Sequence, residues 1–145
     1  MVMKNCIVGM LLCCLCWSCR VEPQAIPYGE IGCAFCQMTV VNPQFAAELV
    51  SSTGKVYFFD AIECMIHYQA DHPTTEWAFA LVNDYFNPHQ LIDAAQATYL
   101  ISSAIPSPMG ANLSASEDQF RMKNTAQEQG GETYSWTDLK IKLNQ

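Results

Sequence analysis

Cys33-Ala34-Phe35-Cys36-Gln37-Met38 places two thiols and a thioether within six residues. Sulfur donors select soft ions, Cu(I) foremost, whereas carboxylates and carbonyls suit hard cations. A Cys-x-x-Cys turn can offer both thiolates to one ion, and Met38 would complete a trigonal set without adding charge. The same spacing also serves a redox pair, half of a zinc site or an inert disulfide. Tetrahedral zinc needs a second Cys/His pair at similar spacing, and the only candidate is Cys64 with His67.

Cys64-Met65-Ile66-His67 falls on a predicted helix, where positions three apart share a face, so Cys64 and His67 can address one site. Ile62, Met65, Ile66 and Gln69 follow the helical period, which makes Met65 core filling first and a ligand second. His67 fits an exposed helix-end histidine as well as it fits a ligand. Met109 stands between Pro108 and Gly110, on a stiff loop that can present a sulfur into a site. Met122 reads as core, His72 and His89 as surface residues beside prolines, and Asp60, Asp84 and Asp93 as caps. There is no Gly-rich phosphate loop, Ser nucleophile elbow or His-Glu-x-x-His motif.

The elements that must position these sulfurs are short. Phe45 to Ser51 and Lys55 to Phe59, across Thr53-Gly54, predict a hairpin, and Met38 to Val41 a further short β-type run. Asp60 with Glu63 three residues on predicts a capping box for a helix through about Gln69. Trp77 to Val82 reads as a buried strand. Leu91 to Ala94 and Ala97 to Ser102 are strand-like, and Pro106 to Gly110 is a rigid loop. Ser116 is placed to cap a helix from Glu117 to Gln129 ended by Gly130-Gly131. Glu132 to Trp136 makes a last strand before a short closing helix. The expected fold class is α+β, two small related ββαβ units packed together, at 33–86 and 87–145.

The N-terminus is expected to direct export. Lys4, the apolar run Cys6 to Trp17 and Ser18 before Cys19 fit a signal peptide over residues 1–18, and the run is shorter than the roughly 20 residues a membrane span needs. Leu15-Cys16-Trp17-Ser18-Cys19 is similar to a lipobox, with Cys19 as the lipidated residue. Residues 19–32, with Pro23 and Pro27, read as a tether to the membrane. Of the eight cysteines, Cys33, Cys36 and Cys64 then remain as thiols, an odd number for an oxidising compartment where structural cysteines pair. The formal net charge of the 145-residue chain is −7; such an acidic chain lacks the basic stripe that nucleic-acid binding requires.

Taken in order, Cys36-Gln37-Met38, Phe45-Ala46-Ala47-Glu48, Phe58-Phe59-Asp60, Cys64-Met65, Asp93-Ala94 with Ala97, Pro108-Met109-Gly110 and Trp136 resemble the NosL family. The resemblance spans roughly Cys33 to Leu139. It implies a fold of the NosL and MerB type and no enzymatic activity. It also implies a lipoprotein of the bacterial cell envelope that faces the periplasm and binds Cu(I) through sulfur. The implied partners are nitrous oxide reductase and its ABC-type maturation complex. By position, Cys36, Met38 and Met109 are the implied ligands, with Cys33 and Cys64 belonging to a variant that has a Cys-x-x-Cys turn and a Cys-Met helix. Gln37 departs from the family's usual Gly, which would allow a left-handed backbone. The competing reading is an exported thiol-disulfide oxidoreductase using Cys33 and Cys36.

Overall fold

Gly54 takes a positive φ of 86° and its N–H donates to Ser51 O at 2.9 Å, closing the predicted hairpin. A computed structural model of the chain describes residues 20–143. The signal peptide and Cys19 lie outside the described residues. Strands β1 (Ala47–Ser51) and β2 (Val56–Phe59) pair antiparallel with Ala47 opposite Phe59 and Val50 opposite Val56. Helix α1 (Ile62–Asp71) follows, then β3 (Trp77–Asn83) returns to the other side of β1, and β4 (Leu91–Asp93) joins β3. The first sheet is therefore ordered β2-β1-β3-β4.

A second sheet repeats the pattern with β5 (Thr98–Ile101) in the centre, flanked by β6 (Leu113–Ser116) and β7 (Glu132–Tyr134). Helix α2 (Gln119–Gln129) precedes β7, and α3 (Trp136–Leu143) closes the chain. In each sheet the first strand is central, its successor lies on one side and the strand after the helix on the other. Two small antiparallel sheets with packed helices make the mixed α+β architecture that the sequence predicts. β4 hydrogen-bonds to the first sheet, although the sequence reading assigns residues 91–93 to the second unit.

One apolar core runs through both sheets. Leu49, Phe59 and Val82 of the first sheet, Tyr99 and Leu113 of the second, and Ile62, Met65 and Ile66 of α1 belong to the same buried cluster. Met65 is fully buried there, in the core-filling role its spacing indicates. A satellite cluster holds Phe45, Leu100, Ile105 and Met122. Asp84 clips the two sheets together, its Oδ2 accepting from Ser116 Oγ at 2.7 Å and Glu117 N–H at 3.0 Å.

Several local expectations change. Ala61, not Asp60, is the N-cap of α1, and no side chain caps it. Asp60 instead accepts from Val41 N–H at 3.1 Å, and Glu63 turns into the protein. Asp118 caps α2 by accepting from Arg121 N–H, while Ser116, still within β6, donates to Asp84 and accepts from Asp118 N–H. Met38 to Val41 forms only an isolated bridge, Gly32 with Thr39. The segment before the Cys-x-x-Cys turn is docked rather than free. Gln24 N–H donates to buried Glu48 Oε1 at 2.7 Å, Ile26 enters the core, and Asn83 Nδ2 donates to Tyr28 Oη at 2.7 Å.

Candidate metal centre

The Cys-x-x-Cys turn is shaped by its own backbone. Gln37 N–H donates to Cys33 O at 3.1 Å and Cys33 N–H to Met38 O at 2.7 Å, folding 33–38 into a closed loop. Ala34 N–H donates to Phe58 O at 2.8 Å, which pins the loop to the end of β2. That closure forces Gln37 to φ +66°, in the left-handed region where glycine is at ease. Gln37 thus adopts a backbone conformation that glycine at this position would take without strain.

Helix α1 begins three residues after β2 and brings Cys64 against this loop. The sulfurs of Cys33, Cys36 and Cys64 lie within 4.8 Å of one another. All three are free thiols, Cys33 and Cys64 buried and Cys36 partly exposed. Three sulfurs from a loop and a helix, one partly facing solvent, form a candidate site with two inner thiols and one at the rim.

Electrostatics sort the three. The S–H of Cys64 donates to Cys33, and the backbone N–H groups of Cys36, Asp60 and Phe35 add to it. Against the opposing effect of burial, these lower the Cys33 pKa to about 5. Cys33 is therefore the most acidic of the three thiols. Cys64 is pushed far up, chiefly because its proton is held by Cys33 and secondarily by burial. Burial also raises Cys36, with Met38 N–H opposing and the Cys33 charge adding to the rise. Asp60 sits above the usual carboxylate range through burial, with Val41 N–H opposing and negative Cys33 contributing. With Cys33 acidic and both Cys36 and Cys64 raised, a soft cation held by all three sulfurs would displace the protons of Cys36 and Cys64.

His67 is not among the side chains that converge with the three cysteines. Met38 closes the turn through its carbonyl while its side chain is 61% exposed. His67, partly buried on α1, stacks on Phe35 of the turn with ring centroids 5.6 Å apart. Met109 is 43% exposed on its proline loop. That loop is tied to α1 beside Cys64, because Glu63 Oε1 accepts from Ser107 Oγ at 2.8 Å and from Ala111 N–H at 3.3 Å. Sequence reading missed this tie, since Asp60-x-x-Glu63 carries the pattern of a capping box.

A model of the NosL family matches residues 27–143. The chain belongs to the NosL family. The match takes in Cys33, Cys36, Cys64, Met38 and Met109, and begins within the docked segment. A solved structure with the same fold is the copper chaperone NosL from Shewanella denitrificans. It superposes with a TM-score of 0.71 at 21% sequence identity, covering 81% of this chain and 95% of that one. No curated protein sequence matches the chain. Among the described residues, no helix is long and apolar enough to cross a membrane.

Proposed function

We propose that this member of the NosL family is an exported, lipid-anchored Cu(I) chaperone that carries copper toward the maturation of nitrous oxide reductase. The observation that carries the reading is the cluster of three free thiols on a turn and a helix. A monovalent d¹⁰ ion prefers thiolate and thioether sulfur to harder donors. Cys33 and Cys64 hold such an ion from inside, Cys36 holds it from the rim, and the thioethers of Met38 and Met109 exchange at the open side. A rim of exchangeable ligands lets a partner's donors replace the chaperone's one at a time. The acidic net charge of −7 favours a partner with a basic face and makes encounter sensitive to salt. Anchoring through Cys19, a periplasmic location and delivery through an ABC-type complex rest on the signal sequence and on what the NosL family resemblance implies.

The oxidoreductase alternative fits the thiols less well. A disulfide-exchanging pair needs an accessible thiolate to attack. Here the acidic thiol, Cys33, is buried, and the accessible one, Cys36, is held protonated. Competition of the reduced protein against a chromophoric Cu(I) chelator tests the proposal. One Cu(I) per chain is expected, with affinity lowered more than about tenfold in Cys36→Ser and Cys64→Ser, since even outer partners of a metal are worth that much. Unchanged affinity in both variants contradicts it. Reduction of an insulin-type disulfide by the metal-free protein would favour the alternative.

A further inference from the structure

We infer that Glu63 is a positioning residue that fixes the Met109 loop against the Cys64 helix, so that the Met109 thioether is held at the rim of the thiol cluster. The inference rests on the copper reading above and adds to it how the third stretch of chain is held in place.

Glu63 is only 4% exposed, and a buried carboxylate is costly unless hydrogen bonds use it. Its Oε1 takes both ends of the loop, accepting from Ser107 Oγ and from the N–H of Ala111. Ser107 Oγ in turn accepts from Asn112 N–H at 3.0 Å. Between those ends, Gly110 N–H donates to Ser107 O at 3.1 Å and closes the turn that contains Met109. Pro106 and Pro108 remove backbone freedom, and Gly110 with φ +85° and Asn112 with φ +56° supply the left-handed residues the turn needs. The loop is therefore rigid in itself, and one oxygen on α1 sets where it sits. Glu63 precedes Cys64 directly on the same helix, so these hydrogen bonds tie the loop to the helix that carries the thiol. Oε2 of Glu63 is buried with no hydrogen-bond partner, so the whole hold on the loop runs through Oε1.

The test is a double-variant cycle read by Cu(I) affinity in chelator competition on the reduced full chain. Glu63→Ala is expected to weaken Cu(I) binding 10–100-fold, roughly the range of an outer positioning partner. Met109→Leu is expected to fall in the same range, and the double variant to lose no more than either alone. Glu63→Gln keeps the acceptor oxygen and is expected to restore affinity to within about threefold, since the hydrogen bonds and not the charge do the holding. Hydrogen exchange gives a readout without metal: the Ala111 and Asn112 amides should lose protection in Glu63→Ala and keep it in Glu63→Gln. Losses that add in the double variant, or a Glu63→Gln variant as weak as Glu63→Ala, overturn the positioning role. Full affinity in Met109→Leu overturns instead the placement of Met109 at the metal. Failure of the wild-type protein to bind Cu(I) overturns the copper reading itself.

Discussion

Glu48 lies fully buried in the central strand β1, under the docked N-terminal segment, with one oxygen on Gln24 N–H and the other without a partner. Burial raises its pKa from 4.5 to about 7, with the Gln24 hydrogen bond opposing. The folded state therefore holds this proton more tightly than the unfolded chain. The stabilisation is complete below the unfolded value of 4.5 and is lost as pH rises to about 7. The rise from 4.5 to about 7, at about 1.4 kcal/mol per pH unit, corresponds to a loss of about 3 kcal/mol above pH 7. Glu48→Gln keeps an acceptor for Gln24 and has no charge to bury. The variant should match the wild type in urea denaturation at pH 4.5 and exceed it by up to about 3 kcal/mol at pH 8. Taking the difference between the two proteins cancels Asp60, Asp84 and the thiols, which titrate in both. Parallel stability-pH curves for the two proteins, with no divergence between pH 4.5 and 8, would refute the reasoning.

Two further substitutions probe the frame around the site. Gln37→Gly relieves a left-handed residue and should raise stability by up to about 1 kcal/mol, with Gln37→Val lowering it, measured by thermal unfolding of the reduced, metal-free protein. Asp84 is pushed up by burial but pulled further down by Ser116 Oγ and the N–H groups of Glu117, Phe86 and Asn87, so its pKa is lowered overall. Its contribution is present above the ordinary carboxylate range and lost as pH falls through the depressed value. Asp84→Ala should cost about 3 kcal/mol at pH 7, because it leaves several buried donors unpaired, and less in strong acid, where the protonated wild-type carboxyl has already lost its charge-assisted part of those bonds. Chemical denaturation at the two pH values checks this.

The convergence of Cys33, Cys36 and Cys64 was legible because its signals are local. Cys-x-x-Cys fixes a turn, Cys64 falls on a helix face, and the odd thiol count excludes simple pairing. Met65 and Met122 sit in the core where their periodic positions place them. What sequence could not separate were roles that share one pattern. A carboxylate three residues after an Asp reads as a capping box, whether it reaches back to the helix end or, like Glu63, across to another loop. Glu48, in an alternating strand, carries no mark that its face is covered by residues 24–28. That covering segment looks like a tether because of its prolines, although Ile26 and Tyr28 anchor it. Strand β6 was missed for a related reason. All four of its residues are buried, Ser114 and Ser116 satisfied by Leu100 O and Asp84, so no alternation of apolar and polar residues marks it.

X-ray absorption at the copper edge of the reduced, loaded protein examines the metal and its donors in one spectrum. A monovalent edge with a first shell made only of sulfur, thinned by one scatterer in Cys36→Ser, is the predicted result. A divalent edge, or a shell dominated by nitrogen and oxygen, would contradict the assignment of the cysteine cluster as the cargo site.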